Sequence, residues 1–266
     1  MELSLDKYLE RIGYTGSREV NAENLFALQT AHLMHVPYEN LDIYNGRPVS
    51  LEIPALYEKI VCRRRGGYCF ELNGLFGWLL KELGYPVEEY FGRWLAGEPT
   101  PIPARRHRVL RVRLPEGDFL PDVGIGRRAP LTPLRFLFEQ PQEREGVNYR
   151  LLQDPVQKVL VQQEGPNGYE NYFSFDEAPQ LPVDFQYVNF YLGNHPDSIF
   201  RKIPMAHLPT EFGRNSLSVQ QNQETQKFFL QLSVDQPDGA PAIKTVIQNK
   251  AEFREALKTY FGIVLS

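Results

Sequence analysis

The first third of the chain carries apolar residues at the three- and four-residue spacing of amphipathic helices. Ser4 and Asn21 are suitable N-cap residues for the first two predicted helices. A third helix is predicted over residues 54–64 and a fourth over residues 69–83. Together they predict a small helical bundle over residues 1–85. The apolar face of the fourth helix consists of Leu72, Leu75, Phe76, Leu79, Leu80 and Leu83.

From Val87 onward, short segments rich in β-branched and aromatic residues alternate with Pro and Gly turns, and a loop containing Pro99, Pro101 and Pro103 precedes one of them. This pattern predicts an antiparallel sheet or barrel over residues 86–187. The remaining residues, 188–266, mix strands with a final helix that Asn249 and Glu252 cap. The expected fold class is therefore α+β with several domains. The predicted strands cover residues 87–94, 107–114, 119–123, 148–152, 157–162, 172–175, 228–233 and 242–247.

The length, net charge and cysteine count of the chain argue against several classes of protein. A length of 266 residues with 42% hydrophobic content allows one large domain or two to three small ones. The formal net charge of -4 gives no support for a nucleic-acid partner. Two cysteines argue against a disulfide-stapled secreted protein. We see neither a signal peptide nor a membrane-spanning stretch, so we expect a cytoplasmic protein without a membrane partner.

Cys69 lies at the predicted start of the fourth helix, directly after Gly66-Gly67. The free N–H groups and the dipole at a helix N-terminus favour an anion such as a thiolate. The glycines allow a sharp turn and the close approach of a substrate. The alternative is a buried structural cysteine, and the residues alone leave both interpretations open. Cys62, in the middle of a helix, is interpreted as inert packing. Three arginines add positive charge nearby: Arg63, Arg64 and Arg65.

A nucleophilic thiol needs a base and a group that orients the base. Of five histidines, His107 lies on a predicted strand, and Asp122 lies on the next one. Adjacent antiparallel strands can bring two such side chains together. Alternatively, His107 is one polar residue of a basic strand and Asp122 a turn residue, and spacing alone favours this reading. His32 and His35 have no third metal ligand at matching spacing, so no metal site is expected.

Five segments in the same order and at matching spacing resemble the arylamine N-acetyltransferase family. Residues 64–73, RRGGYCFELN, resemble its nucleophile signature RRGGYCFExN. Residues 36–41, VPYENL, resemble its VPFENL segment. The segment ending at His107 and residues 122–126, DVGIG, resemble its RTH and DVGFG segments, and residues 195–200, HPDSIF, resemble HPxSxF. The resemblance extends along nearly the whole chain, more loosely in the last third.

The resemblance implies a catalytic triad of Cys69, His107 and Asp122. It implies that Asn73 supports the triad carboxylate and that Tyr38 and Ile125 line the amine pocket. It further implies a helical domain (1–85), a β-barrel (86–187) and an α/β lid (188–266), with a core like that of cysteine proteases. The family usually has Phe where Tyr38 and Ile125 stand, and Thr where Arg106 stands, so amine preference and donor contacts are expected to differ.

The implied activity is ping-pong transfer from acetyl-CoA, a co-substrate rather than a bound cofactor, to an arylamine, aryl hydrazine or N-hydroxyarylamine. Gly124 and Gly126 are expected in the oxyanion or CoA region. A cysteine hydrolase, an amide synthase or an inactive binding module could share the same triad residues, so these alternatives stay open. The candidate partners of the CoA phosphates are Arg63, Arg64, Arg65, Arg105, Arg106, Arg127 and Arg128.

Overall fold

The computed structural model describes residues 3–98, 100, 102–127 and 129–265, so Pro99, Pro101 and Arg128 lie outside the described residues. The N-terminal third is helical, as expected. The predicted caps are confirmed, because Ser4 Oγ accepts from the Lys7 N–H at 3.3 Å and Asn21 Oδ1 from the Asn24 N–H at 2.8 Å. The helices are α1 (Leu5–Arg11), α2 (Ala22–His35), α3 (Leu41–Tyr44), α4 (Ile53–Tyr57) and α5 (Cys69–Glu82).

The third predicted helix is shorter and less regular than expected. After α4 the chain continues as a π-helical turn over Glu58–Cys62, closed by an Arg63 N–H bond to the Glu58 carbonyl at 2.9 Å. The buried Arg11 side chain donates to the Ile60 carbonyl at 2.9 Å within this turn. Cys62 is exposed at its end, so the expectation that it packs in the interior was wrong.

Eight antiparallel strands form the central sheet, in the order β5-β4-β3-β2-β9-β8-β7-β6. The two edges lie close together, because Gln142 of β6 accepts from the Arg135 N–H of β5 at 2.7 Å and donates to its carbonyl at 2.8 Å. The sheet is therefore a nearly closed barrel. Its strands are β2 (Val87–Trp94), β3 (His107–Leu114), β4 (Gly117–Leu120), β5 (Leu134–Arg135), β6 (Gln142–Arg144), β7 (Val147–Asp154), β8 (Lys158–Gly165) and β9 (Gly168–Phe175).

The strand predicted over residues 119–123 ends earlier, at Leu120. Pro121 follows and has no N–H to donate to a neighbouring strand, so the ladder stops there. Asp122 consequently lies in the loop after β4 and not on a strand, which corrects the sequence-based placement.

The C-terminal part contains a five-stranded antiparallel sheet in the order β1-β10-β11-β12-β13. Its first strand, β1 (Tyr38–Glu39), comes from the N-terminal third, and Tyr38 pairs with His207 of β10. The final helix begins after Asn249, as predicted, with Asn249 Oδ1 accepting from two backbone N–H groups. The other elements are α6 (Phe185–Asn194), α7 (Ile199–Lys202), β10 (Ala206–Thr210), β11 (Gly213–Gln221), β12 (Phe228–Val234), β13 (Ile243–Ile247) and α8 (Lys250–Phe261).

Packing of α5 against the barrel positions the candidate site. The apolar face of α5 shares one buried core with the β3 residues Val109 and Leu110. Cys69 is the first residue of α5 and His107 the first residue of β3, so both lie where these packed elements begin. Within the described part of the chain, no helix has the length and apolar character needed to cross a bilayer.

Candidate active site

Cys69 is buried at the N-terminus of α5, as the sequence predicts. The preceding Tyr68 N–H donates to Glu71 Oε2 at 3.1 Å, which fixes the first turn of the helix. The N–H groups of Cys69 and Phe70 are the first two of the helix and have no intrahelical acceptor. The Cys69 Sγ lies 3.4 Å from the Arg106 carbonyl oxygen, to which a neutral thiol can donate.

The two glycines before Cys69 accommodate the protein's own chain. A Cβ on Gly66 would lie 1.8 Å from the Pro37 carbonyl oxygen, and a Cβ on Gly67 would meet the Glu71 side chain at 2.8 Å. The Glu39 N–H donates to the Gly67 carbonyl at 2.9 Å. Both glycines are therefore needed because residues 37–39 and Glu71 pack closely against residues 66–67. This packing, and not the approach of a substrate as expected, explains the two glycines before Cys69.

His107 is buried between Cys69 and Asp122. Its Nε2 lies 2.6 Å from Asp122 Oδ2, which leaves Nδ1 for the sulfur. Burial by itself would lower the pKa of His107. The negative charge of Asp122, its hydrogen bond to the ring and the interaction with Cys69 outweigh burial and raise the pKa of His107 to about 10. The rings of Trp94 and Phe173 pack at 6.0 and 5.6 Å from the imidazole and hold its plane.

Asp122 is held by a network of hydrogen bonds. Its Oδ1 accepts from Asn73 Nδ2 at 2.9 Å and from the Gly124 N–H at 2.8 Å. Asn73 also donates to the Arg108 carbonyl and accepts from the Val123 N–H. Gln29 Oε1 accepts from the Asp122 N–H at 2.9 Å. Sequence reasoning missed Gln29, because it precedes Asp122 by 93 residues and belongs to no motif.

Gly124 has a different role from the expected oxyanion donor. Its N–H is engaged by Asp122 Oδ1, so this group is not available to an oxyanion. A Cβ at Gly124 would lie 2.7 Å from the Cys69 Cα, so only glycine allows this loop to approach α5 so closely. The Gly126 carbonyl accepts from Arg214 Nη1 at 2.9 Å, and the Tyr38 ring packs against Gly126.

A cavity of about 300 Å³ opens beside Cys69 and His107. Tyr38 and Ile125 line it, as the resemblance implies, and so does Gly124. Sequence reasoning did not select the other apolar and aromatic lining residues. Ile199 and Phe200 are the two that a signal could have found, because both belong to the HPDSIF segment. The unselected lining residues include Trp94, Ile199, Phe200, Met205 and His207.

The candidate arginines divide into two groups. Most are engaged in ion pairs: Arg63 with Glu58, Arg65 with Glu39 and Asp42, Arg105 with Asp176, and Arg106 with Glu98. Arg106 nevertheless lines the Cys69 cavity, and Arg127 is exposed at its edge without an ion pair among the described residues.

A second cavity, of about 580 Å³, lies between the barrel and the C-terminal sheet, and Arg127 lines it too. Its other cations are Arg144, Arg214 and Lys244, none of them in an ion pair with a described residue. Its carboxylates include Glu145, which accepts from the Leu131 N–H, and Glu164, which accepts from Asn148. Because Arg127 belongs to both cavities, the two adjoin there.

Behind Cys69 lies a cluster of charged side chains with little exposure. Lys59 Nζ lies 2.7 Å from Asp42 and 2.8 Å from Glu71, and Arg65 contacts Glu39 at 2.7 Å. Burial and the Glu39 charge raise the pKa of Glu71 to about 6, against the opposing effect of Lys59. Arg65 therefore acts within the cluster that fixes the start of α5. Among the described residues, no group of three or more His, Cys, Asp or Glu side chains could hold a metal ion.

Known proteins resemble this chain over most of its length. The family model described as N-acetyltransferase matches residues 21–266. The arylamine N-acetyltransferase of Escherichia coli K12 is 37% identical over 207 residues, which cover 77% of this chain and 73% of that protein. The solved arylamine N-acetyltransferase of Mycobacterium tuberculosis has a TM-score of 0.86 at 33% identity, covering 98% of this chain and 94% of that one.

A further solved structure, the arylamine N-acetyltransferase of Mycobacterium marinum in complex with CoA, has a TM-score of 0.85 at 32% identity and covers 98% of this chain and 93% of that one. Sequence identity at this level over most of both chains indicates membership of the same family and not only the same fold. The chain therefore belongs to the arylamine N-acetyltransferase family of enzymes.

Proposed function

We propose that the protein transfers an acetyl group from acetyl-CoA, through a thioester on Cys69, to an arylamine, aryl hydrazine or N-hydroxyarylamine. The observation that carries this proposal is the His107 imidazole, whose Nε2 lies 2.6 Å from Asp122 Oδ2 and which lines the same cavity as Cys69. Support for the donor comes from the CoA complex of the M. marinum relative. Support for the acceptor comes from the family to which the chain belongs.

In the first half-reaction His107 Nδ1 takes the thiol proton of Cys69. Asp122 stabilises the imidazolium and keeps Nε2 protonated, so that Nδ1 is the basic nitrogen. The Cys69 thiolate attacks the acetyl carbonyl carbon, and the π-electron pair moves to the carbonyl oxygen. The tetrahedral intermediate then expels the CoA thiolate, which takes the proton from His107. Acetyl-Cys69 and neutral His107 remain.

In the second half-reaction a neutral amine attacks acetyl-Cys69, and His107 Nδ1 accepts the amine proton. Cys69 leaves as a thiolate paired with the imidazolium. General base catalysis of this kind contributes on the order of 10²–10⁴-fold. The N–H groups of Cys69 and Phe70 are the proposed oxyanion donors, because Gly124 is already bonded to Asp122. A donor of this kind is worth about 3–4 kcal/mol in other enzymes.

The donor is proposed to extend from Cys69 into the second cavity. Phosphates are recognised by cations, and Arg guanidinium groups suit them best. Three arginines and a lysine line that cavity without ion pairs among the described residues. All three proposed units of the chain, 1–85, 86–187 and 188–266, would then contribute: the first supplies Cys69, the second His107 and Asp122, and the third cavity walls.

Intact-protein mass spectrometry with peptide mapping tests the proposal. After mixing with acetyl-CoA we expect one acetyl group, on Cys69, which an added arylamine removes faster than water does. The Cys62→Ser protein should behave like wild type, because Cys62 is exposed and lines neither cavity. The Cys69→Ser protein should not transfer acetyl groups. An adduct on Cys62, or discharge by water as fast as by amine, would contradict an amine transferase.

A further inference from the structure

His207 lies on the wall between the two cavities. It belongs to β10, and its ring packs 6.0 Å from the Tyr38 ring across the β1–β10 pair. His207 lines the Cys69 cavity, whereas Ser216, its partner in register on β11, lines the second cavity. Arg127 lines both. A molecule that reaches from Cys69 into the second cavity therefore passes His207.

One nitrogen of His207 is engaged by the protein and the other is not. Nδ1 lies 3.2 Å from Ser216 Oγ, a contact that orients the ring. Nε2 has no hydrogen-bond partner among the described residues, and it is not closed off in the interior as His32 Nε2 is. Burial, Arg214 and Arg127 lower the pKa of His207 to about 3, so the ring stays neutral at working pH.

The chemistry along this path limits what His207 can contact. On an acyl-CoA the phosphates lie at one end and the thioester at the other. The pantetheine arm between them carries two uncharged amides. A neutral imidazole nitrogen suits an amide N–H or carbonyl, depending on the tautomer. The phosphates match the four cations of the second cavity instead.

We propose that His207 is a positioning residue for the acyl donor, and that its Nε2 hydrogen-bonds an amide of the pantetheine arm of acetyl-CoA. This inference rests on the proposed function, because it takes Cys69 as the acyl carrier. His207 acts on the reaction only by holding the donor, and the proton transfers stay with His107.

The test compares two donors on His207→Phe, which keeps a ring against Tyr38, and on His207→Gln, whose amide nitrogen reaches close to the Nε2 position. With acetyl-CoA, His207→Phe should raise the KM of the acylation step roughly two- to tenfold, the loss expected for one hydrogen bond. His207→Gln should recover part of that loss. With 4-nitrophenyl acetate, which has no pantetheine arm, any loss should be smaller than with acetyl-CoA, and His207→Gln should bring no recovery over His207→Phe.

The matched control is His195→Phe, the same exchange at a histidine that lines neither cavity. It should leave both donors unaffected. An equal loss with both donors would overturn the proposal in favour of a structural role. A wild-type KM for acetyl-CoA in both variants would overturn it as well, and so would a rise only in the acceptor KM. Failure of wild type to acylate Cys69 with either donor would instead refute the proposed function itself.

Discussion

The Nε2 of His107 lies 2.6 Å from Oδ2 of Asp122, while Oδ1 of the same carboxylate accepts from Asn73 and Gly124. Oδ1 therefore accepts two hydrogen bonds from the protein, and Oδ2 is the oxygen that faces the imidazole. This division fixes which nitrogen of His107 carries a proton, because only an Nε2–H can donate to Oδ2. Nδ1 is left as the acceptor for the Cys69 proton.

Replacing Asp122 by Asn should abolish that arrangement. The Asn oxygen is expected to take the place of Oδ1, because Asn73 and Gly124 both donate there. The NH₂ group would then face His107 Nε2, forcing Nε2 to accept and Nδ1 to carry the proton. We expect the rate of Cys69 acylation by 4-nitrophenyl acetate to fall by about 10²–10⁴-fold. Stopped-flow release of 4-nitrophenol measures it.

Asp118→Asn provides the control for that exchange. Asp118 lies on β4 and pairs with Arg111, with Nε at 2.8 Å, away from the cavity lining. Its acylation rate should remain close to that of wild type. A similar rate for Asp122→Asn and wild type would show that the carboxylate does not set the tautomer of His107.

Alkylation by iodoacetamide should distinguish the two thiols by their pH dependence. A thiolate–imidazolium pair persists while His107 is protonated, and the pKa of His107 is raised to about 10. Labelling of Cys69 in the Cys62→Ser protein should therefore change little between about pH 6.5 and 9. Burial and the Glu58 carboxylate raise the pKa of Cys62, so its labelling in the Cys69→Ser protein should increase about tenfold per pH unit over the same range. Parallel profiles for the two thiols would contradict an ion pair at Cys69.

The same histidine should make stability depend on pH. Asp122 and Cys69 outweigh burial and raise the pKa of His107 from 6.5 to about 10 in the folded state. In the proposed thiolate–imidazolium pair, Cys69 has lost the proton that His107 holds, so the folded pair binds one proton. The unfolded chain also binds one proton at these two residues between about pH 6.5 and 8.5, the ordinary pKa values of histidine and cysteine, so the pair adds no pH dependence there. Above about pH 8.5 the unfolded thiol loses its proton while the folded pair keeps one, so the free energy of unfolding falls until about pH 10.

Urea unfolding of wild type and His107→Gln at several pH values measures this contribution. The difference in unfolding free energy between the two proteins should change little between about pH 6.5 and 8.5 and should shrink from about pH 8.5 to 10. A difference that grows with pH would mean that His107 is not protonated in the folded protein.

Local features of the chain could be predicted from sequence, and long-range contacts could not. The caps at Ser4, Asn21 and Asn249 use side chains two or three residues from the N–H groups they bind, so their signal is contained in a short segment. The strand at His107–Leu114 was predicted with the observed bounds. By contrast, Tyr38 pairs with His207 across a long stretch of chain, and no periodicity marks β1 or the Pro-containing β10.

The site residues also divide into those with a local sequence signal and those without one. Cys69 was selected because a helix start is visible in sequence. Strand spacing alone favoured His107 as a polar strand residue and Asp122 as a turn residue, and only the family resemblance identified them as catalytic candidates. Gln29, which binds the Asp122 backbone, has no sequence signal, because the contact depends on how α2 packs against the loop after β4. The role of Gly124 was misjudged for the same reason, since its N–H is occupied only in the folded chain.

Ile125→Phe should increase preference for aryl acceptors. Ile125 is buried in the cavity wall together with Tyr38. A ring at this position can stack on an aryl acceptor, which is worth about 0.5–1.5 kcal/mol, or roughly a two- to tenfold lower KM. The KM of hydrazine, which has no ring, should not fall. Ile125→Leu, which adds no ring, should leave both values near wild type, and an equal change for both acceptors would argue against stacking.

Gly124→Ala adds a single methyl group but should lower both the stability of the protein and the rate of Cys69 acylation. The added Cβ would lie 2.7 Å from the Cys69 Cα and 3.0 Å from its Cβ. Because the first of these contacts is backbone, either α5 or the loop after β4 must move. Overpacking of this kind costs about 1–3 kcal/mol of unfolding free energy. The shift also separates Cys69 from the loop that carries Asp122, so acylation by 4-nitrophenyl acetate should slow more than stability alone explains.

Gly193→Ala is the matched control, because a Cβ there meets no atom within 4 Å and the residue lies inside α6. Alanine favours a helix over glycine by about 1 kcal/mol, so this variant should be as stable as wild type or slightly more stable. Its acylation rate should be unchanged. If Gly124→Ala is destabilised but acylates Cys69 at the wild-type rate, the contact between the loop and Cys69 supports the fold without positioning the reacting groups.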